Sequence, residues 1–220
     1  MVFGQSATDQ GSNYSGAWNN ASNQGTGFGA WTLTAGANTG FFIGNPSSNG
    51  MSTTLTGTSA FGMFANGSAY ANASRNITTP MAVGDALTFH WAVNWDANTG
   101  SKGFDFKALG TTVFNVNMGG SSTITAGGIN AQTAYGTNNM IVTMSRISAT
   151  QYTFSLSARD GVSALYVATV NISSAIDNIN FYIGNQNDFA APNNGNRNMY
   201  FNNLMVSKIQ HRSNVAAGSW

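Results

Sequence analysis

Several stretches of the chain alternate apolar and polar residues with a period of two, the pattern of a strand that lays one face on a core. Leu87, Phe89, Trp91, Val93 and Trp95 fall on one face, with Thr88, His90, Ala92 and Asn94 on the other. Phe114, Val116 and Met118 alternate with Val113, Asn115 and Asn117, and Tyr152, Phe154 and Leu156 alternate with Thr153 and Ser155. β-Branched and aromatic residues mark further strands at 28–34, 39–43, 60–65, 68–77, 103–108, 139–147, 164–171, 178–184 and 198–209. Helix signals are nearly absent, because Gly recurs throughout and each Gly inside a helix costs about 1 kcal/mol relative to Ala.

Turn chemistry separates these segments. Asn66-Gly67 and Asp160-Gly161 each read as a type I′ hairpin turn, and Asn49-Gly50 and Thr99-Gly100 mark further turns. The pattern predicts an all-β, antiparallel two-sheet jelly-roll sandwich, with one domain over residues 1–210 and residues 211–220 as a tail or linker. The long irregular stretches are 5–27, 121–138 and 185–197, and loops on a rigid scaffold are where function concentrates.

Composition narrows the function classes. Asp, Glu, Lys and Arg make up 7% of the 220 residues, against roughly 25% in ordinary soluble domains. There is no Glu, and 29 Asn and 26 Gly stand among the neutral polar residues that carry solubility instead. This balance predicts a secreted or cell-surface protein, of bacterial type given the absence of Cys. A net charge of +1 leaves no electrostatic footprint for nucleic acid or for an anionic membrane surface. The absence of Cys excludes disulfides, thiolate catalysis and Cys-ligated zinc. No apolar run approaches the length of a membrane helix, and residues 1–4 lack the regions of a signal peptide.

Certain phrases carry a resemblance: NNASNQGTGFGAWTL from Asn19, GFFIG from Gly40, WAVNWDANTGSKGFDF from Trp91, ARDG from Ala158 and MYFNNLMVS from Met199. Over about residues 13–208 the chain resembles a recurrent module of large secreted bacterial proteins. It is broadly similar to concanavalin A-like lectin and glucanase jelly rolls. The resemblance implies a lectin-like or glycan-processing context.

No catalytic constellation stands out. Glycosidases need two carboxyl groups flanking the scissile bond, and jelly-roll glucanases typically draw two Glu from one strand, whereas this chain has no Glu. Asp105 has no carboxylate partner on its strand, His90 lies on the polar side of its strand, and there is no nucleophile-elbow motif. The reading is therefore a non-enzyme.

Two loop constellations are candidate sites. Asp96 and Asn98 form half of a calcium loop, D-x-N-x-G, to which Asp188 could add a carboxylate. The competing reading is an Asx turn, in which these side chains bond the local backbone. A carbohydrate site needs an aromatic ring to stack on sugar C–H faces and planar polar groups for the hydroxyls. The candidates are Trp95 and Phe189, beside Asn98, Lys102, Asn187, Asp188, Asn193, Asn194 and Arg197, with Trp18 and Tyr135 as further aromatics. Trp31, Phe89 and Trp91 fit the core pattern. The expected function is a secreted, non-catalytic glycan-binding or adhesion module acting on a glycan or cell-surface polysaccharide. The alternatives are a self-associating structural subunit of an extracellular filament, sheath or matrix, and third a glycan-active enzyme.

Overall fold

A computed structural model describes residues 5–15, 17–93, 100–119, 123–132, 138–157, 164–185 and 198–209. Their strands are β1 (Gln5–Asp9), β2 (Thr32–Ala35), β3 (Thr39–Gly44), β4 (Ala60–Ala65), β5 (Tyr70–Asn76), β6 (Asp85–Val93), β7 (Ser101–Ala108) and β8 (Thr111–Gly119). They continue with β9 (Ile124–Ala126), β10 (Ile129–Gln132), β11 (Asn138–Arg146), β12 (Gln151–Ser157), β13 (Ala164–Asn171), β14 (Asn178–Gly184) and β15 (Asn198–Lys208). One sheet runs β13-β12-β11-β6-β15-β4-β3, with β1 also on β15; the other runs β10-β9-β8-β7-β14-β5-β2. Every pairing is antiparallel. The protein is an all-β, two-sheet jelly-roll sandwich.

The period-two reading of β6, β8 and β12 matches the structure: Leu87, Phe89, Trp91, Val93, Phe114, Val116, Met118, Tyr152, Phe154 and Leu156 are all buried. The two sheets meet through aromatic rings. Phe181 of β14 stacks on Phe201 of β15 at 3.6 Å between centroids, and Phe104 of β7 meets Phe89 and Trp91 of β6 edge-on. Such pairs add about 0.5–1.5 kcal/mol beyond the apolar area they bury.

An ion pair runs through this core. Arg75 of β5 pairs with Asp9 of β1, and neither side chain is exposed. The guanidinium lies 4.9 Å from the ring centroids of both Phe28 and Trp31, and its Nε donates to Gly29 O at 2.8 Å. Asp9 also accepts from the Tyr14 hydroxyl and the Asn13 amide. A buried charge pair persists only when its remaining bonding capacity is met, and here it is.

The structure departs from the sequence reading at several points. Asn66-Gly67 is not a hairpin turn: β4 and β5 belong to different sheets, and the turn carries the chain from one to the other. Type I′ geometry needs positive φ at both positions, which occurs instead at Leu109-Gly110 between β7 and β8 and at Gly127-Gly128 between β9 and β10. Strands β1, β9 and β10 lie in stretches read as irregular. They have three to five residues each, too short for a period to show, and they form because β15 offers an edge to β1, β8 to β9 and β9 in turn to β10. In the stretch read as a strand at 28–34, only Thr32 onward pairs continuously, with Phe28 held by an isolated bridge to Ile77. Trp18 is core, packed against Trp31, Phe41, Phe61 and Phe201. Asp160-Gly161 lies outside the described residues, although β12 and β13 do pair as successive strands.

Candidate functional site

The outward side of the eight-stranded sheet is partly covered. The segment 51–59 is strapped onto it by side chains of β6, β11 and β15. Asn139 donates to Ser52 O; Asn202 donates to Thr56 O at 2.6 Å and Ser59 O at 3.1 Å. His90 and Asn203 both donate to Leu55 O, at 2.7 and 3.0 Å. Burial lowers the pKa of His90, and its bond to that carbonyl partly opposes the shift. Met51, Phe42 and Tyr200 form a small apolar cluster under the same segment.

The outward side of the seven-stranded sheet is different. Residues of β5, β14, β7 and β8 that alternate with the core positions point there, and the register aligns them in rows. Asn72, Tyr182, Gly103 and Asn117 form one row, and Ser74, Asn180, Asp105 and Asn115 form the next. A third row holds Asn76, Asn178 and Lys107.

These side chains bond one another. Asn115 Nδ2 donates to Asp105 Oδ1 and to the Tyr182 hydroxyl, both at 2.9 Å, and Asn180 Nδ2 donates to Asp105 Oδ2 at 3.2 Å. The Tyr182 hydroxyl lies 3.2 Å from Val116 O and 3.1 Å from Asn117 Oδ1, one of which takes its proton. Ser74 donates to Asn178 Oδ1, and Asn178 donates to Asn76 Oδ1. The amides are thereby fixed in orientation before any ligand arrives. With the Asn115 and Asn180 nitrogens turned onto Asp105, their oxygens remain as acceptors.

Two aromatic rings lie flat on this surface, each over a glycine. A methyl group at Gly103 would sit 2.5 Å from the Tyr182 hydroxyl oxygen, and one at Gly184 would sit 2.2 Å from Tyr70 Cδ1. Tyr70 and Gly184 are cross-strand partners, as are Tyr182 and Gly103, so each ring fills the space its partner's missing side chain leaves. Tyr70 is 44% exposed. Burial raises the Tyr182 pKa well above the ordinary tyrosine value, with the Asn115 bond opposing, so the hydroxyl stays protonated. Beyond Asn76 and Asn178 the surface opens into a depression of about 740 Å³, lined among others by Gly29, Ser74, Lys107, Asp177 and Pro80.

Of the residues singled out from sequence, Trp95, Asp96, Asn98, Tyr135, Asn187, Asp188, Phe189, Asn193, Asn194 and Arg197 lie outside the described residues. Lys102 is fully buried on the core-facing side of β7, where a ligand on the outer surface does not reach it. Among the described residues there is no group of three or more His, Asp or Glu that could hold a metal ion. The amide rows were missed because they exist only across four strands. Their one sequence signal is the polar half of the alternation, as in Asn115 and Asn117, or Asn178 and Asn180.

No protein-family model matches the chain, and no curated protein matches it. Solved structures do. A protein of unknown function from Shewanella oneidensis MR-1 aligns with a TM-score of 0.54 at 11% identity, over 95% of this chain and 89% of that one. The CBM2 module of an evolved Dit protein from Lactobacillus casei BL23 phage J-1 aligns at 0.47 and 12%, over 80% and 93%. The exoplasmic domain of VIP36, in a form bound to calcium and Man2, aligns at 0.46 and 9%, over 86% of each chain. The chain is similar in fold to the Shewanella oneidensis protein over nearly the whole of both chains.

Proposed function

We propose that the outward surface of the seven-stranded sheet binds carbohydrate, and that the protein is a secreted, non-catalytic glycan-binding or adhesion module. The observation that carries this is the pairing of two flat tyrosine rings with a pre-oriented lattice of amides around Asp105. Sugars present apolar C–H faces and closely spaced hydroxyls; a ring takes the first, and planar amides and a carboxylate take the second. Both oxygens of Asp105 accept amide N–H groups, which holds the carboxylate and its neighbours in one orientation.

The test is a glycan array followed by titration of the best ligand. Tyr70→Ala should weaken binding by about fivefold or more, the equivalent of about 1 kcal/mol for one aromatic contact, with an unchanged melting temperature. Full binding by a folded Tyr70→Ala, Asn180→Ala double variant would move the site off this surface.

A further inference from the structure

β13 ends the eight-stranded sheet, and among the described residues no backbone hydrogen bond joins its outer edge to another element. The bond from Ile172 N to Thr150 O, 3.0 Å, sets the phase of the β12–β13 ladder. With Tyr152 opposite Val170 and Phe154 opposite Ala168, the residues that exchange bonds with β12 are Tyr166, Ala168 and Val170. The N–H and C=O groups of Val167, Thr169 and Asn171 therefore point away from the sheet. Natural edge strands are blunted by charges, Pro or bulges. This one has neither charge nor Pro, and its one register shift lies at its first residues, leaving 166–171 regular.

We propose that two copies of the chain join through β13, paired antiparallel about Ala168. That register places Val167 opposite the partner's Thr169 and Thr169 opposite the partner's Val167, so the outward groups on both strands meet as hydrogen-bonded pairs. The faces match as well, because the sum of paired residue numbers is even and core-facing Tyr166 meets the partner's Val170. Val167 is 56% exposed, an apolar side chain that a β-branched neighbour across the new ladder would cover. β10, the end strand of the other sheet, lies against β13, and its Ile129 is 61% exposed at that side of the sandwich. An apolar margin without charge among its described residues fits a second copy of itself better than a charged partner. The pairing closes at two chains and builds one continuous sheet.

Sedimentation equilibrium of the whole chain, from micromolar to near-millimolar concentration, tests this without any ligand. The expected result is a reversible monomer–dimer equilibrium. Thr169→Pro removes an N–H that β12 does not use, so the monomer should keep its circular dichroism and melting while dimerisation is lost. Val167→Lys and Thr169→Asp should each weaken association by roughly an order of magnitude, and the double variant should restore it by pairing the new charges across the interface. Should Thr169→Pro fail to fold, the charge pair decides the register by itself. A chain that stays monomeric throughout, forms open-ended fibres, or dimerises equally well in the folded variants overturns the proposal.

Discussion

The phenol of Tyr182 lies across Gly103, its cross-strand partner on β7, and the fit leaves no room for a side chain. A Cβ at Gly103 would also stand 2.1 Å from Val116 O, which is backbone and cannot swing aside. The glycine thus does two things: it lets β7 and β8 keep their ladder, and it seats a tyrosine ring flat on the sheet. Gly103→Ala should cost about 2 kcal/mol, or roughly 4–8 °C in melting temperature for a chain of this size. Differential scanning calorimetry measures it. A wild-type melting curve for Gly103→Ala would show that the ring does not lie where the structure has it.

Asp9 and Arg75 fasten β1 of one sheet to β5, the strand next to the end of the other. Asp9→Ala leaves the guanidinium buried without its counter-charge, which should destabilise the fold by about 3–5 kcal/mol. Replacing both residues with apolar ones, as in Asp9→Leu with Arg75→Met, should cost distinctly less, because no unpaired charge is left behind. Urea denaturation of Asp9→Leu, Arg75→Met and the double variant gives the comparison. Additive losses in the double variant would mean that the two side chains do not interact.

Legibility in the sequence followed the length of each pattern. β6 carries nine residues with Leu87, Phe89, Trp91 and Val93 in strict alternation, and its position was plain. β9 has three residues and β1 has Gln-Ser-Ala-Thr-Asp, neither of which shows a period; their partners, not their own residues, make them strands. Asn66-Gly67 has hairpin composition, but the strands it joins belong to different sheets, and tertiary packing overrode the local signal. Trp18 looked like a free ring because it stands among polar residues, yet four aromatic neighbours from distant strands enclose it. The amide surface was invisible for the same reason, since the contact of Asp105 with Asn115 and Asn180 needs the register of three strands.

His90 gives the fold a pH dependence of definite sign. Burial lowers its pKa below the ordinary value of about 6.5, so the folded state binds that proton less readily than the unfolded chain does. Stability should be full above about pH 6.5 and decline as the pH falls through the depressed folded-state pKa. The His90→Gln variant should lose this part of the slope, while retaining an acceptable donor for Leu55 O. Melting temperatures between pH 5 and pH 8 decide the matter, and an identical slope in wild type and variant would assign the dependence to other groups.

Asp105 offers the sharpest separation of binding from folding. Its two oxygens each accept one amide N–H, from Asn115 and from Asn180. An asparagine has one acceptor oxygen, so in Asp105→Asn one of those contacts becomes donor against donor, and one neighbouring amide must turn away. Asp105 is half-buried, so water can satisfy the displaced group. The stability cost should therefore stay near the low end for a broken hydrogen bond, about 1 kcal/mol. Ligand affinity should suffer more. The lattice loses its charge and the fixed orientation of an acceptor, and bonds to a charged group contribute about 1.5–3 kcal/mol, a loss of roughly tenfold or more in affinity. Thr153→Ser, on the outward side of the opposite sheet, is the matched control and should bind as the wild type does. If Asp105→Asn binds glycan as tightly as the wild type while Tyr70→Ala binds none, the rings alone make the site and the amides merely cover the sheet.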